Sequence, residues 1–252
     1  MNLDGARVVI TRPERGAEAL ATSLERCGAR IVRMPVIVIS DPSSWDALDR
    51  ALERLEAGFY EWVLFASVNG VERVLQRRPD APEVVRRARV AAVGPATAAE
   101  LRRQGVHPDL VPSRHAVTSL AEALGDGPGR ILFPRVEHGP ALPPTFDERG
   151  WSADEVPAYR NSPAPRSPMH AVVERGEFDV VVFASPSAID AFLATVAWEP
   201  LGLRPRSRAR RTVACIGPTT AARATSRGMR VDVVPAEHTA QGLVRALIES
   251  NA

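Results

Sequence analysis

Four short turns of the sequence combine small or hydroxylated residues with the positions typical of helix starts. Two of them are Gly-Pro turns, Gly94-Pro95-Ala96-Thr97 and Gly217-Pro218-Thr219-Thr220. In each, we expect the glycine to cap a helix and the proline to take the first helical position, where a missing N–H group costs no hydrogen bond. The N–H groups of Ala96 and Thr97 then stay free, beside the Thr97 hydroxyl. Such oriented N–H groups bind anions, carboxylates and phosphates among them.

Two serine turns have the same character. Ser67-Val68-Asn69-Gly70 and Ser185-Pro186-Ser187 each place a serine where we expect the N-cap of a helix. Any one of the four turns is also typical of an ordinary capped helix. Because they form two matching pairs and keep their polar side chains, we interpret them as ligand-binding loops.

Other chemistries lack their sequence signatures. The glycine motifs of nucleotide-binding loops and the GxSxG motif of acyl-enzyme hydrolases are absent. Cys27 and Cys215 have no zinc or redox spacing, and we expect both to be buried. No two histidines have metal-ligand spacing, and His115 and His238 are expected to be capping or surface residues. We therefore expect neither a metal nor a cofactor.

Charge and hydropathy limit the choice of partners. The net charge is only +2, yet the 32 residues counted as Lys or Arg are all arginine, and several lie near strand ends. A guanidinium matches a carboxylate or phosphate in a bidentate pair, although a preference for arginine codons explains the bias equally well. No apolar run approaches the ~20 residues that span a bilayer. The first residues lack the apolar core of a signal peptide, and we expect a cytoplasmic protein that binds neither membrane nor nucleic acid.

The turns follow short β-branched runs that alternate with amphipathic stretches of helical length, which predicts parallel sheets with helices on both faces. The predicted strands are Arg7–Ile10, Arg30–Met34, Trp62–Phe65, Arg89–Val93, Arg130–Phe133, Trp151–Val156, Asp179–Phe183 and Arg211–Ile216.

The chain also repeats itself. Phe65-Ala66-Ser67 returns as Phe183-Ala184-Ser185, and the run that starts at Val93 returns from Ile216 at a constant offset. The strand before Arg12 likewise returns before Arg135. The repeat predicts an internal duplication, in which two copies supply matching loops to a shared cleft.

The sequence allows two arrangements of the copies. They could be sequential flavodoxin-like domains, near residues 1–124 and 125–252. Alternatively, the halves are exchanged at hinges marked by Pro35 and Pro157, and the stretches Val36–Ser40 and Ala158–Asn161 are crossing linkers. Folding of an isolated 1–124 fragment would favour the sequential arrangement.

Tyr159 breaks the repeat. It follows the second hinge in Val156-Pro157-Ala158-Tyr159-Arg160, and its repeat partner is Ile37. The phenol is therefore an addition to an otherwise symmetric frame. Packing between domains and participation in chemistry both remain open for it at this point.

Taken together, these features resemble the uroporphyrinogen-III synthase family over nearly the whole chain. The resemblance rests on the order and spacing of several weak motifs: Ile10-Thr11-Arg12-Pro13, Pro35, Phe65-Ala66-Ser67, Val93-Gly94-Pro95-Ala96-Thr97, Pro157-Ala158-Tyr159-Arg160, Phe183-Ala184-Ser185-Pro186-Ser187 and Ile216-Gly217-Pro218-Thr219-Thr220-Ala221. It implies two flavodoxin-like domains joined by a two-stranded linker, as an interleaved duplication. The implied first domain is residues 1–36 with 164–252, the second is 40–157, and the linkers are 36–40 and 158–163.

The resemblance also implies an activity without cofactor or metal. Linear hydroxymethylbilane would lose water and close into a ring with its last pyrrole inverted, and Tyr159 is the implied proton donor. The implied binding residues for the substrate carboxylates are Arg12, Ser67, Asn69, Ala96, Thr97, Arg135, Ser185, Ser187, Thr219 and Thr220. The competing hypothesis is a two-lobed polycarboxylate-binding regulatory module without catalysis. Either way we expect a monomer that binds a small molecule.

Overall fold

The structure is a computed structural model that describes residues 3–12, 14–114, 116–198, 201–203 and 211–250, apart from the side chains of residues 14–16. The chain divides into two compact units. Unit 1 comprises Met1–Val38 and Ser162–Ala252, and unit 2 comprises Ile39–Asn161.

The strands are β1 (Arg7–Ile10), β2 (Arg30–Arg33), β3 (Ile37–Ser40), β4 (Trp62–Phe65), β5 (Arg89–Ala92), β6 (Gly129–Val136), β7 (Trp151–Pro163), β8 (Val180–Phe183) and β9 (Thr212–Cys215). The helices are α1 (Glu14–Arg26), α2 (Asp46–Glu56), α3 (Val68–Leu75), α4 (Ala81–Val85), α5 (Pro95–Arg103), α6 (Val117–Leu124), α7 (Thr145–Glu148), α8 (Pro168–Glu174), α9 (Pro186–Thr195), α10 (Pro218–Ser226) and α11 (Ala240–Ser250).

Unit 1 is built on a parallel sheet with the strand order β2-β1-β8-β9. A single parallel bridge between Ala214 and Val233 continues it beyond β9. The central strands are apolar and β-branched, and Val8 and Val182 are fully buried. Leu20 and Leu24 of α1 pack with Leu243 of α11 against one face of this sheet. Strands buried in this way form parallel sheets that need helical cover.

Unit 2 has a sheet with the order β3-β7-β6-β4-β5. Strands β7, β6, β4 and β5 run parallel to one another. Two apolar clusters flank it. One contains Leu52 of α2 and Val71 of α3, and the other contains Leu120 of α6 and Phe146 of α7. Helical residues thus cover both faces, which confirms the predicted α/β fold with parallel sheets.

The direction in which the chain winds reverses once in each sheet. In unit 1 the reversal lies between β1 and β8, and in unit 2 it lies between β6 and β4. The loops after neighbouring strands diverge at such a point, and they leave a crevice beyond the carboxyl ends of the strands where ligands bind in open α/β sheets. Thr11 and Arg12 follow β1, whereas Ser67 follows β4.

Every strand predicted from the sequence is present in the structure. The prediction missed β3 and ended β7 too early. Ile37–Ser40 forms β3 beside β7, and β7 continues to Pro163. A proline usually ends a strand, but it is tolerated at bulges because no ladder hydrogen bond is required of it there. Pro157 lies at such a bulge, where Arg135 pairs with Pro157 but Val136 pairs with Tyr159.

The described part of the chain contains no helix long and apolar enough to cross a bilayer.

Cys215 makes the stability of unit 1 sensitive to alkaline pH. The residue is fully buried at the end of β9, as predicted, whereas Cys27, for which burial was also predicted, is only partly buried. Burial raises the pKa of the Cys215 thiol from 9.0 to about 12. The unfolded chain therefore releases this proton near pH 9, whereas the folded chain retains it, so the thiol contribution to stability declines as pH rises from 9 toward 12. We expect the free energy of unfolding to fall by about 1.4 kcal/mol per pH unit on this account.

The check is urea unfolding of the reduced protein between about pH 8 and pH 11, alongside Cys215→Ala. The variant should lose stability to its small cavity at neutral pH, but its stability should decline less steeply above pH 9. Parallel curves for the two proteins would contradict the assignment.

Candidate functional site

The two Gly-Pro turns start helices with nearly identical geometry. Gly94 is the N-cap of α5 with φ −162° and ψ 175°, and Gly217 is the N-cap of α10 with φ −167° and ψ 173°. In both, the first backbone hydrogen bond of the helix is donated by the fourth helical residue to the glycine carbonyl, at 3.0 Å. Both predicted helix starts are therefore confirmed. Among the described residues, the N–H groups of Ala96 and Thr97 have no backbone acceptor.

The polar side chains at these two helix starts differ in exposure. Thr97 and Thr220 are only 5% and 4% exposed, whereas Ala96 and Thr219 lie at the surface. The two threonines are therefore largely covered, whereas the second helical residue of each turn is open to solvent and to an approaching anion.

His238 contacts the start of α10, a position that the sequence did not predict. Its ring atom Cγ lies 3.4 Å from the place where a Cβ on Gly217 would be, which is an ordinary van der Waals distance. His238 itself is exposed. The alignment of the repeats pairs His238 with His115, which lies outside the described residues.

The two serine turns also repeat in detail. Ser67 caps α3 with φ −153° and ψ 153°, and Ser185 caps α9 with φ −157° and ψ 155°. The Ser67 hydroxyl accepts the N–H of Gly70 at 3.0 Å, and the Ser185 hydroxyl accepts that of Ala188 at 3.2 Å. Both predicted N-caps are confirmed.

Backbone hydrogen bonds join the serine turn to the Gly-Pro turn within each unit. The N–H of Val93, just before Gly94, donates to the carbonyl of Phe65 at 2.9 Å. In unit 1 the N–H of Ile216 donates to Phe183 at 3.0 Å. Each unit thus presents two adjacent helix starts at one edge of its sheet. This pairing follows from the neighbouring strands β4 and β5, and β8 and β9.

A β-bulge turns Tyr159 toward the core of unit 2. Side chains alternate between the two faces of a regular strand, so Ala158 and Tyr159 would point to opposite sides. The register shifts by one residue between Arg135 and Val136, and Ala158 and Tyr159 both join the apolar cluster that contains Val156. Bulges often re-aim a side chain beside an active site in this way.

The Tyr159 hydroxyl meets the serine turn that follows β4. Its oxygen lies 3.0 Å from the hydroxyl oxygen of Ser67. Only 7% of the Tyr159 residue is exposed. Burial raises the pKa of the phenol above its ordinary value of 10.0, and hydrogen bonds with Ser67 and Asn69 reduce that increase. The phenol consequently stays protonated at neutral pH and can donate a proton.

The other tyrosine, Tyr60, has a different environment. Its hydroxyl donates to the carboxylate of Asp154 at 2.6 Å, and burial together with Asp154 raises its pKa to about 12. Tyr60 lines a cavity of about 350 Å³ with Arg50, Arg54 and Asp154. None of the predicted site residues lines this cavity. The hydroxyl hydrogen of Tyr60 is already donated to Asp154.

Arg12 is a partly buried cation at the reversal point of the unit 1 sheet. The preceding Thr11 is fully buried, and its side chain donates to the carbonyl of Val182 on β8 at 2.8 Å. Burial lowers the pKa of the Arg12 guanidinium. Within the described part of the chain, no carboxylate forms an ion pair with Arg12, in contrast to most arginines of unit 2. A desolvated cation with no counterion among the described residues favours an anionic ligand.

Arg135 is paired within unit 2. Its Nε atom lies 2.7 Å from the Glu155 carboxylate, although the angle does not give a well-directed hydrogen bond. One Nη atom donates to the carbonyl of Gly139 at 2.6 Å, and Glu155 also accepts the N–H of Leu142 at 3.0 Å. Arg135 and Glu155 therefore hold the loop after β6, a contact that the sequence did not predict.

Among the predicted site residues, the structure brings together Tyr159, Ser67 and Asn69 in unit 2. In unit 1, the hydroxyls of Ser185 and Ser187 lie 3.1 Å apart. Sites of this kind, with hydroxyls and free N–H groups at helix starts, bind carboxylates through directed hydrogen bonds.

Comparisons with known proteins identify the family of this chain. The model of the family described as uroporphyrinogen-III synthase HemD matches residues 18–245. The chain is 30% identical to the uroporphyrinogen-III synthase of Synechococcus elongatus, with 97% of this chain and 95% of that protein aligned. It is 27% identical to the uroporphyrinogen-III synthase of Chlorobaculum parvum, with 96% of this chain and 98% of that protein aligned.

Two solved structures share the fold. A mutant uroporphyrinogen III synthase from Thermus thermophilus matches with a TM-score of 0.68 and 19% identity, over 98% of this chain and 99% of that one. Uroporphyrinogen-III synthetase from Helicobacter pylori matches with a TM-score of 0.63 and 14% identity, over 97% of this chain and 99% of that one. Because the family model matches most of this chain, the chain belongs to the uroporphyrinogen-III synthase family.

Proposed function

We propose that this protein is a uroporphyrinogen-III synthase, a lyase that removes water from hydroxymethylbilane and closes the ring with its last pyrrole inverted. Family membership over residues 18–245 supports the reaction class. The observation that carries the chemistry is the buried Tyr159 phenol, 3.0 Å from Ser67, at the reversal point of the unit 2 sheet. A protonated phenol in a crevice that binds ligands suits an acid-assisted dehydration.

Binding of the substrate relies on its carboxylates. We propose that the helix starts at Ala96 and Thr97, and at Thr219 and Thr220, bind carboxylates, to which their N–H and hydroxyl groups donate hydrogen bonds. The serine turns supply Asn69, Ser185 and Ser187 in the same manner, whereas Ser67 contributes through its contact with Tyr159. Arg12 supplies a full positive charge. Its lack of an ion-pair partner among the described residues supports a role in binding a carboxylate. Arg135 already forms an ion pair with Glu155. We propose that it contacts a substrate carboxylate either alongside Glu155 or in place of it.

The proposed dehydration step moves one proton. The Tyr159 hydroxyl donates its proton to the hydroxyl group of the substrate, the carbon–oxygen bond breaks, and water leaves. The positive charge that develops on the substrate spreads over the adjacent pyrrole, which provides most of the driving force. When the ring has closed and a pyrrole carbon loses its proton, the tyrosinate can take up a proton again. A general acid contributes about 10²–10⁴-fold in such steps.

The choice of isomer is proposed to come from orientation. Unassisted closure of the linear chain gives the isomer without inversion, so the protein must hold a shape that the free substrate rarely adopts. Several fixed carboxylate contacts convert closure into a reaction between pre-oriented groups. We also propose that one chain suffices, that the reaction needs no cofactor or metal, and that it takes place in the cytoplasm.

The domain boundaries belong to the same proposal. We infer a first domain of residues 1–36 with 164–252, a second of 40–157, and linkers at 36–40 and 158–163. The division into unit 1 and unit 2 supports these boundaries.

The direct test supplies hydroxymethylbilane to the purified protein and separates the products. We expect the type III isomer to dominate. Formation of only the type I isomer, at the rate seen without protein, would overturn the proposed function and favour a non-catalytic binding module.

A further inference from the structure

We propose that Ser67 is a positioning residue for Tyr159: its hydroxyl donates to the phenol oxygen, which leaves the phenol hydrogen free to point toward substrate. This inference rests on the proposed function for its kinetic consequences. The direction of the hydrogen bond itself can be measured without substrate.

The hydroxyl of Ser67 has two partners in the structure. Its oxygen accepts the N–H of Gly70 at 3.0 Å, and the same oxygen lies 3.0 Å from the Tyr159 oxygen. A hydroxyl that accepts a hydrogen bond is polarised and becomes a better donor. The cap on α3 therefore favours donation from Ser67 to Tyr159 over the reverse direction.

The direction of this bond determines whether Tyr159 can act as an acid. If the phenol donated to Ser67, its only hydrogen would be engaged within unit 2. If Ser67 donates, the phenol oxygen accepts that bond and its own hydrogen remains available. The side chain of Asn69 lowers the pKa of the phenol, as Ser67 does, which is the effect of a donor and not of an acceptor.

Gly70 provides the space for this arrangement. A Cβ at this position would lie 3.3 Å from the Ser67 hydroxyl oxygen, 3.6 Å from the Pro134 carbonyl oxygen and 3.9 Å from Cε1 of Tyr159. The absence of a side chain thus lets the serine turn lie over the end of β6, where Tyr159 reaches it from β7.

Unit 1 shows that capping alone does not explain the contact. Ser185 has the same N-cap conformation, but its hydroxyl meets Ser187. The repeat partner of Tyr159 is Ile37, a buried residue that cannot form such a bond. Ser185 is therefore a matched control for the loss of a serine cap.

The kinetic test is a double-mutant cycle of Ser67→Ala with Tyr159→Phe. We expect Ser67→Ala to lower kcat by roughly tenfold, the effect of one lost hydrogen bond of about 1 kcal/mol or slightly more. In the Tyr159→Phe background the same change should alter kcat by less than about twofold, because Ser67 acts through the phenol. Ser67→Thr, which keeps a hydroxyl, should restore most of the activity.

The control cycle pairs Ser185→Ala with Tyr159→Phe. The two substitutions should act independently, so the fold-loss of kcat in the double variant should equal the product of the two single losses. Multiplying effects in the Ser67 cycle as well would show that Ser67 does not act through Tyr159 and would overturn the positioning role.

The structural test follows the ionisation of Tyr159 by NMR of protein labelled at tyrosine Cζ. The chain has only two tyrosines, and Tyr60→Phe assigns the signals. Because donation from Ser67 stabilises the phenolate, Ser67→Ala should raise the pKa of Tyr159. A lower or unchanged pKa in the variant would mean that Ser67 does not donate to Tyr159, and either result contradicts the proposal. This readout stands even if the protein does not turn over hydroxymethylbilane.

Discussion

Replacement of Tyr159 by phenylalanine should lower kcat for hydroxymethylbilane by about 10²-fold, at the lower end of what a general acid contributes. The substrate pyrroles provide much of the driving force, which is why a larger loss is not expected. The KM should change little, because the ring remains and only the hydroxyl is lost. Stability should fall by no more than about 1 kcal/mol, the usual value of one hydrogen bond.

Tyr60→Phe is the matched control for this experiment. It removes the same atom from the other tyrosine, whose hydroxyl donates to Asp154 rather than to Ser67. We expect kcat to stay within about twofold, while stability falls by about 1.5–3 kcal/mol because a hydrogen bond to a charged group is lost. Equal losses of kcat in both variants, or full activity of Tyr159→Phe, would contradict the proton-donor role.

The second large effect is expected for Arg12→Gln. A charge-assisted hydrogen bond to a substrate carboxylate is worth about 1.5–3 kcal/mol, so kcat/KM should fall by about 10- to 150-fold. Most of the loss should appear in KM. The free energy of unfolding should not decrease, because the variant removes a partly buried cation that has no ion-pair partner among the described residues.

Arg223→Gln is the charge-matched control. Arg223 forms a bidentate pair with Asp190, with distances of 3.0 and 2.9 Å, and the two side chains are 42% and 39% exposed. We expect unchanged kinetics and a stability loss below about 1 kcal/mol, as for other surface pairs. Arg12→Gln would contradict its proposed role if it matched this control in KM. A marked loss of stability in Arg12→Gln would instead indicate a structural role.

The sequence could predict much of this fold because its signals are local. Short β-branched runs marked β1, β4 and β8, since buried parallel strands need such residues. The Gly-Pro and serine turns were equally predictable, because a helix start must satisfy or expose its own N–H groups whatever surrounds it. The helices α5 and α10 accordingly begin where the sequence placed them.

Contacts between distant segments were not predictable. The bulge that turns Tyr159 inward depends on how β7 pairs with β6, and no local pattern specifies that register. For the same reason the sequence identified Tyr159 but not its bond to Ser67, which lies 92 residues away. It also did not reveal that Glu155 pairs with Arg135.

The difference between Arg12 and Arg135 has a comparable origin. In the sequence, Arg12 and Arg135 occupy the same place in the repeat, after equivalent strands. In the structure, Arg135 has a carboxylate partner and Arg12 has none within the described residues. The two copies therefore share backbone geometry at their helix starts but differ in the chemistry at the ends of their first strands.

The most direct test of the account is the isomer composition of the product as a function of enzyme concentration. Unassisted closure competes with the enzyme, so each reaction gives a mixture of type I and type III uroporphyrinogen. We predict that the fraction of type III rises with the amount of wild-type protein until it approaches the whole product, and that Tyr159→Phe needs about 10²-fold more protein for the same fraction. A type III fraction that stays at zero for the folded wild-type protein at every concentration would contradict the proposed function.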